Sequence, residues 1–221
     1  MNVPAERTVE ALREAFQRWG RPDRLRVDNG HPWGSTGDLP TELELWLMGL
    51  GIETVHNPPA RPQANGVVER SQEIGQRWSD ASRRGSAAEV ESALREMDAH
   101  QREGFPEPAR SRLRLFPKLA HSGRPYAAAD EPALWSETEM RRRLSEYAVV
   151  RRINARGLIS VYGKNHYVGK RHADRSATVR LDSDSGDWLF ELTGGPLVGR
   201  TPAGLSRETI LSRQVTTRHP H

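Results

Sequence analysis

The sequence predicts an α/β domain of alternating helices and strands, then a helical and extended connector, then a small C-terminal β-barrel. Three observations predict it. Through roughly the first eighty residues, apolar positions recur at helical spacing and at strand spacing in turn, the alternation of an α/β layer. Prolines and arginines concentrate between about residues 104 and 140. From Tyr147 the apolar period shortens to two, and turn residues separate short runs.

Each element has a local reason. Val9, Leu12, Phe16 and Trp19 fall on one face of a helix over 7–19, with Gly20 past its end and Pro22 beyond. Arg24 to Asp28 alternates like a strand, and Asn29-Gly30 breaks it. Residues 41–50 read as a helix stopped by Gly51, and Ile52 to His56 as a second strand. The three prolines between Asn57 and Gly66 exclude regular helix and central strand. A helix then runs from about Gly66 to Trp78. Ser86 and Glu89 form a capping-box pattern ahead of Val90, Leu94 and Met97. In the last third, Leu158–Tyr162, a turn at Gly163–Asn165 and His166–Val168 predict one hairpin. Residues 178–181 and 188–192 predict another, and the tail after about Gly199 reads as unordered.

Composition narrows the functional classes. No run of 18 apolar residues exists, which argues against a membrane span, and the first residues lack the pattern of a signal peptide. Without cysteine there is no disulfide or thiolate-held zinc, which fits a reducing cytoplasm. The net charge is +4, and of 33 basic residues only Lys118, Lys164 and Lys170 are not arginine. Arg binds phosphate bidentately and keeps its charge, which favours a nucleic-acid partner. A GC-rich genome writes the same bias, so clustering is the better guide.

The chemistry-bearing pattern has three pieces. Asp28 sits at a predicted strand end before Asn29-Gly30. A proline-rich loop ends in Asn65-Gly66. Glu69 then lies in the first turn of a helix, with forty residues between it and Asp28, and Arg70 follows it. Singly, each piece has a plainer reading as a turn, a connector or a macrodipole partner. In this order the combination is far more specific. Val67, Ile74 and Trp78 fall on one helical face and Glu69, Glu73 and Gln76 on the other, so Glu69 is free to bind a ligand. Hard carboxylate oxygens with open positions suit Mg²⁺ or Mn²⁺.

The stretch from Arg21 through Trp78 resembles the catalytic core of retroviral integrases and bacterial insertion-sequence transposases, the DDE-type enzymes. The resemblance implies a partial RNase H-like core at 1–85, a connector at 86–145, a small β-barrel like that of Mu-type transposases at 146–200, and a tail at 201–221. It implies that Asp28 is the second catalytic aspartate and Glu69 the catalytic glutamate, with Mg²⁺ or Mn²⁺ as cofactor. Asn65 and Gly66 match the loop that places the glutamate's helix, and Arg70 the basic residue beside it, which would pair with a carboxylate or touch DNA. DNA is the implied partner, a homo-oligomer the implied assembly of the parent, and the bacterial cytoplasm and nucleoid its location.

One part of the family pattern is not found. Only six residues precede the first predicted helix, and their one acidic residue is Glu6. Asp23 and Asp38 lie in turn and Gly-rich contexts and do not replace the first aspartate. The expectation is a core lacking its first strands, inactive alone and prone to insolubility through exposed apolar edges.

Basic residues cluster at Arg83-Arg84, at Arg110, Arg112 and Arg114, at Arg141–Arg143, at Arg151-Arg152 and at Lys170-Arg171. These predict DNA positioning by the connector and barrel. No aromatic is placed to argue base stacking, and no recognition helix is visible. His56 reads as an ordinary strand-end histidine, and His100 and His121 have no partners at metal-ligand spacing. Two further readings stand beside strand transfer: a non-catalytic DNA-binding or regulatory remnant, and an RNase H-like nuclease of another kind.

Overall fold

Helix α2 (Glu42–Gly49) is buried from Leu43 to Gly49, so its apolar residues run all round rather than along one stripe. Its ends are chemically defined. Thr41 and Glu44 form a complete capping box at the start. At the other end Gly51, at φ +70°, lets its own N–H reach Met48 O and that of Ile52 reach Leu47 O. That left-handed position suits glycine, and the paired bonds close a Schellman stop.

The computed structural model describes residues 4–34, 38–58 and 66–216. They form two compact units. One holds the chain up to Glu14, Asp23–His56 and everything from Ala127 onward; the other holds Ala15–Pro22 and Asn57–Tyr126.

In the first unit, β1 (Arg24–Val27) pairs in parallel with β2 (Glu53–His56), in register from Arg24↔Glu53 to Val27↔His56. Helix α2 packs against β2, α7 (Glu137–Leu144) and α8 (Arg207–Thr216). Trp135 lies against its last turn: a Cβ on Gly49 would come 2.0 Å from Trp135 Nε1, which donates to Trp46 O at 3.1 Å. The short α6 (Glu131–Leu134) opens on Glu131, a carboxylate only 1% exposed. Arg13 grips it bidentately at 2.8 and 2.7 Å, from α1 (Ala5–Trp19), and Arg207 reaches it at 3.1 Å.

The antiparallel part of this unit is a four-stranded sheet, in the order β3 (Ala148–Arg152), β6 (Ser176–Leu181), β7 (Asp187–Leu192), β8 (Leu197–Pro202). Ala177, Val179 and Leu181 point inward at every second position, with Val149, Trp188, Phe190 and Leu192. A separate hairpin pairs β4 (Leu158–Val161) with β5 (Lys164–Tyr167). Its turn is the two residues Tyr162 and Gly163, at φ +46° and +70°. This corrects the expected turn at 163–165: a two-residue turn of that hand matches strand twist, so β5 starts two residues earlier.

The expected barrel does not close. Among the described residues the strands form the four-stranded sheet and two two-stranded ones, within a mixed α/β architecture. The tail is also corrected. Past Gly199 the chain completes β8, buries Leu205 in the following loop, and forms α8, where Ile210 is buried. Residues 217–221 lie outside the described ones.

In the second unit, α3 (Gly66–Ser79) packs on α4 (Ala87–Ala99), whose N-cap Ser86 accepts from Glu89 N–H. A π-turn at His100–Gly104 continues α4, and the His100 ring stacks on Trp78 at 5.4 Å. The expected connector follows as short pieces: 3₁₀ turns at Pro108–Arg110 and Pro117–Leu119, with α5 (Arg112–Leu115) between them. Among the described residues no helix is long and apolar enough to cross a membrane.

Candidate functional site

The parallel pairing of β1 and β2 ends both strands at one level, with Val27 beside His56. Asp28 is the next residue of the chain. It is exposed, and Gly30 N–H donates to its Oδ1 at 3.1 Å. The break at Asn29-Gly30 thus holds the carboxylate at a strand end, as the sequence pattern predicts. An exposed, hard carboxylate is a suitable donor for Mg²⁺ or Mn²⁺.

His56 is anchored from the other side. Its Nε2 lies 2.7 Å from Oε1 of Glu44, which is 5% exposed. The second oxygen of Glu44 accepts from Thr41 N–H at 2.8 Å and from the Thr41 hydroxyl at 3.3 Å. One carboxylate oxygen thus serves the helix cap and the other faces the His56 ring. Glu44 caps α2 and orients the β2 terminus at once. This agrees with the ordinary strand-end reading of His56.

Helix α3 begins at Gly66, so the Glu69 position falls in its first turn. The side chain of Glu69 lies outside the described residues, as do all of Asn65 and most of the proline loop. Further along α3, Arg70, Glu73 and Gln76 are exposed. Among the described side chains, no group of three or more His, Cys, Asp or Glu could hold a metal ion.

Among the described residues most cluster arginines outside the connector are ion-paired, while Arg84, Lys170 and Arg171 meet no carboxylate. On α7, Arg141 pairs with Glu137, Arg142 with Glu139 and Glu146 at 3.0 Å each, and Arg143 with Glu139 at 2.6 Å. The two guanidiniums beside Glu139 pull its pKa down from 4.5 to about 2. Arg151 pairs with Asp38, and Arg152 with Asp174 at 2.9 Å. Arg83 meets Asp80 at 2.7 Å, and Arg84 donates to Ser79 O. Arg171 donates to His172 Nε2, and Lys170 is exposed.

The connector differs. Arg110 stands 4.0 Å from Glu107, but Arg112, Arg114 and Lys118 are exposed and make no ion pair among the described residues. Beside them Leu115, Phe116 and Leu119 are 58%, 60% and 53% exposed. Phe116 is thus an exposed aromatic beside these cations. The signal was the run Arg112-Leu-Arg-Leu-Phe116, too short for a period to show which side chains are covered.

No family model matches the chain. Among solved structures, it is similar to a chain in the cryo-EM structure of the simian T-cell lymphotropic virus intasome in complex with PP2A regulatory subunit B56 gamma. The likeness is weak: 17% identity over 92% of this chain, with a TM-score of 0.42. The chain spans 64% of that chain's length.

A polar cleft of about 270 Å³ also lies in the first unit, lined by Glu53, Thr54, Arg142, Glu146 and Tyr147 among others. Burial, then Glu44, Glu146 and Glu53, push the Tyr147 phenol pKa up, so the cleft keeps a neutral hydroxyl.

Proposed function

We propose that this chain is part of a DDE-type DNA transposase or integrase, whose parent catalyses metal-dependent DNA strand transfer. The supporting observation is the Asp28-Asn29-Gly30 break directly beyond a strand of a parallel pair, combined with a helix that starts at Gly66 and puts position 69 in its first turn. By the resemblance, Asp28 and Glu69 would each serve as a ligand of Mg²⁺ or Mn²⁺. When bound, such metals activate the attacking oxygen and stabilise the leaving one in phosphoryl transfer. The chain's own part is to hold Asp28 by the Gly30 N–H and to carry DNA on cations that, among the described residues, no carboxylate neutralises.

Mn²⁺ titration of the chain bound to duplex DNA, followed by electron paramagnetic resonance, tests this reading. Weak binding removed by Asp28→Asn or by Glu69→Gln is expected. Mn²⁺ binding indifferent to both substitutions would overturn the transposase reading. The chain alone is expected to join no DNA ends in Mg²⁺, because two carboxylates do not complete the site.

A further inference from the structure

Residues 111–119 present an unusual mixture. Ser111 is buried, 3% exposed, and its hydroxyl accepts from Arg114 N–H, so it caps and pins the single turn of α5. Leu119 N–H donates to Phe116 O at 2.9 Å and closes the next turn. On this short fixed scaffold, Leu115, Phe116 and Leu119 are each more than half exposed. Arg112, Arg114 and Lys118 alternate with them and have no carboxylate partner among the described residues. Bare phosphate contacts need only the cations. Three large apolar side chains kept in water need a second reason.

We propose that this turn is an apolar wedge for duplex DNA, with Leu115 and Phe116 entering between base pairs while Arg112, Arg114 and Lys118 hold the flanking phosphates. The inference rests on the DNA partner proposed above and adds a distortion of the duplex to it. Apolar residues flanked by cations are the chemistry that unstacks a base step and kinks the helix. Charge decides the occupant. Two copies of this chain meeting through the same patch would set three cations against three, whereas polyphosphate complements them.

The wedge predicts a preference for DNA whose stacking is already weakened. Fluorescence anisotropy on the full chain would compare a labelled perfect duplex with the same duplex carrying one mismatch. Wild type is expected to bind the mismatched duplex about tenfold more tightly, because part of the unstacking cost is already met. The Leu115→Ala/Phe116→Ala variant is expected to lose that preference and to hold the perfect duplex within about twofold. The Arg112→Ser/Arg114→Ser variant is expected to weaken on both duplexes and keep the preference. Equal affinity of wild type for the two duplexes overturns the wedge, and so does a preference that survives Leu115→Ala/Phe116→Ala; both leave the DNA partner standing. Absence of binding to either duplex at low salt overturns the DNA partner itself and assigns the patch to an acidic protein surface.

Discussion

On α7, Arg141, Arg142 and Arg143 sit three and four residues from Glu137, Glu139 and Glu146, and each is met by one or two carboxylates. On α5, Arg112 and Arg114 lie within a stretch whose nearest acidic residue is Glu107, which faces Arg110. Both are arginine clusters in the chain, yet the first is locally neutral and the second projects its charge. The spacing of counter-charges, rather than the number of arginines, separates a solvated helix face from a surface that can attract phosphate.

The strongest way to extend the comparison is a third setting, two half-buried arginines on one buried carboxylate. Glu131→Gln removes the carboxylate shared by Arg13 and Arg207. Urea denaturation is expected to show a loss of about 2 kcal/mol, because half-buried Arg13 and Arg207 each lose a charge-assisted hydrogen bond. A loss no larger than that of a surface pair would show that water reaches this site.

Next comes the contrast itself. In a titration of duplex DNA binding against salt, Arg112→Ser/Arg114→Ser is expected to reduce the log–log slope by about 2, one unit for each phosphate contact. Arg142→Ser is expected to leave the slope unchanged. Equal losses from the two clusters would break the distinction between paired and unpaired arginines.

A smaller effect comes from unmasking the paired cluster. Glu139→Gln leaves Arg142 and Arg143 with less compensation, so the salt slope is expected to steepen by about 1. The pairs it removes are screened by water, so little loss of stability is expected in the same urea experiment.

The smallest concerns pH. Because its arginine partners lower the folded-state pKa of Glu139 from 4.5 to about 2, its contribution is fully present above the unfolded value. It is lost as pH falls through the folded value. The stability difference between wild type and Glu139→Gln is therefore expected to stay constant above about pH 5 and to close towards pH 2.

Much of this fold was legible because its signals are local. Thr41 with Glu44 and Gly51 bracket α2, Ser86 starts α4, and Asn29-Gly30 ends the run that carries Asp28. The arginine pairing on α7 was equally open to reading, since three and four residues along a helix are neighbours. Other features needed partners far away in the chain. Ser206 caps α8 by accepting from Thr209 N–H, a signal present in the sequence. What holds α8 in place is α2 and Glu131, more than seventy residues upstream.

The sequence by itself determined the limits of α2, the starts of α3 and α4, the strand-end setting of Asp28, and the first-turn position of Glu69. Hydrogen bonds between neighbours in the chain decide those features, whatever the rest of the molecule does. Only the tertiary structure decided that the β strands stay an open sheet beside a hairpin, that His56 is held by Glu44, and that Phe116 remains in water among unpaired cations. Each depends on which surfaces meet across long stretches of chain, and no local spacing encodes that meeting.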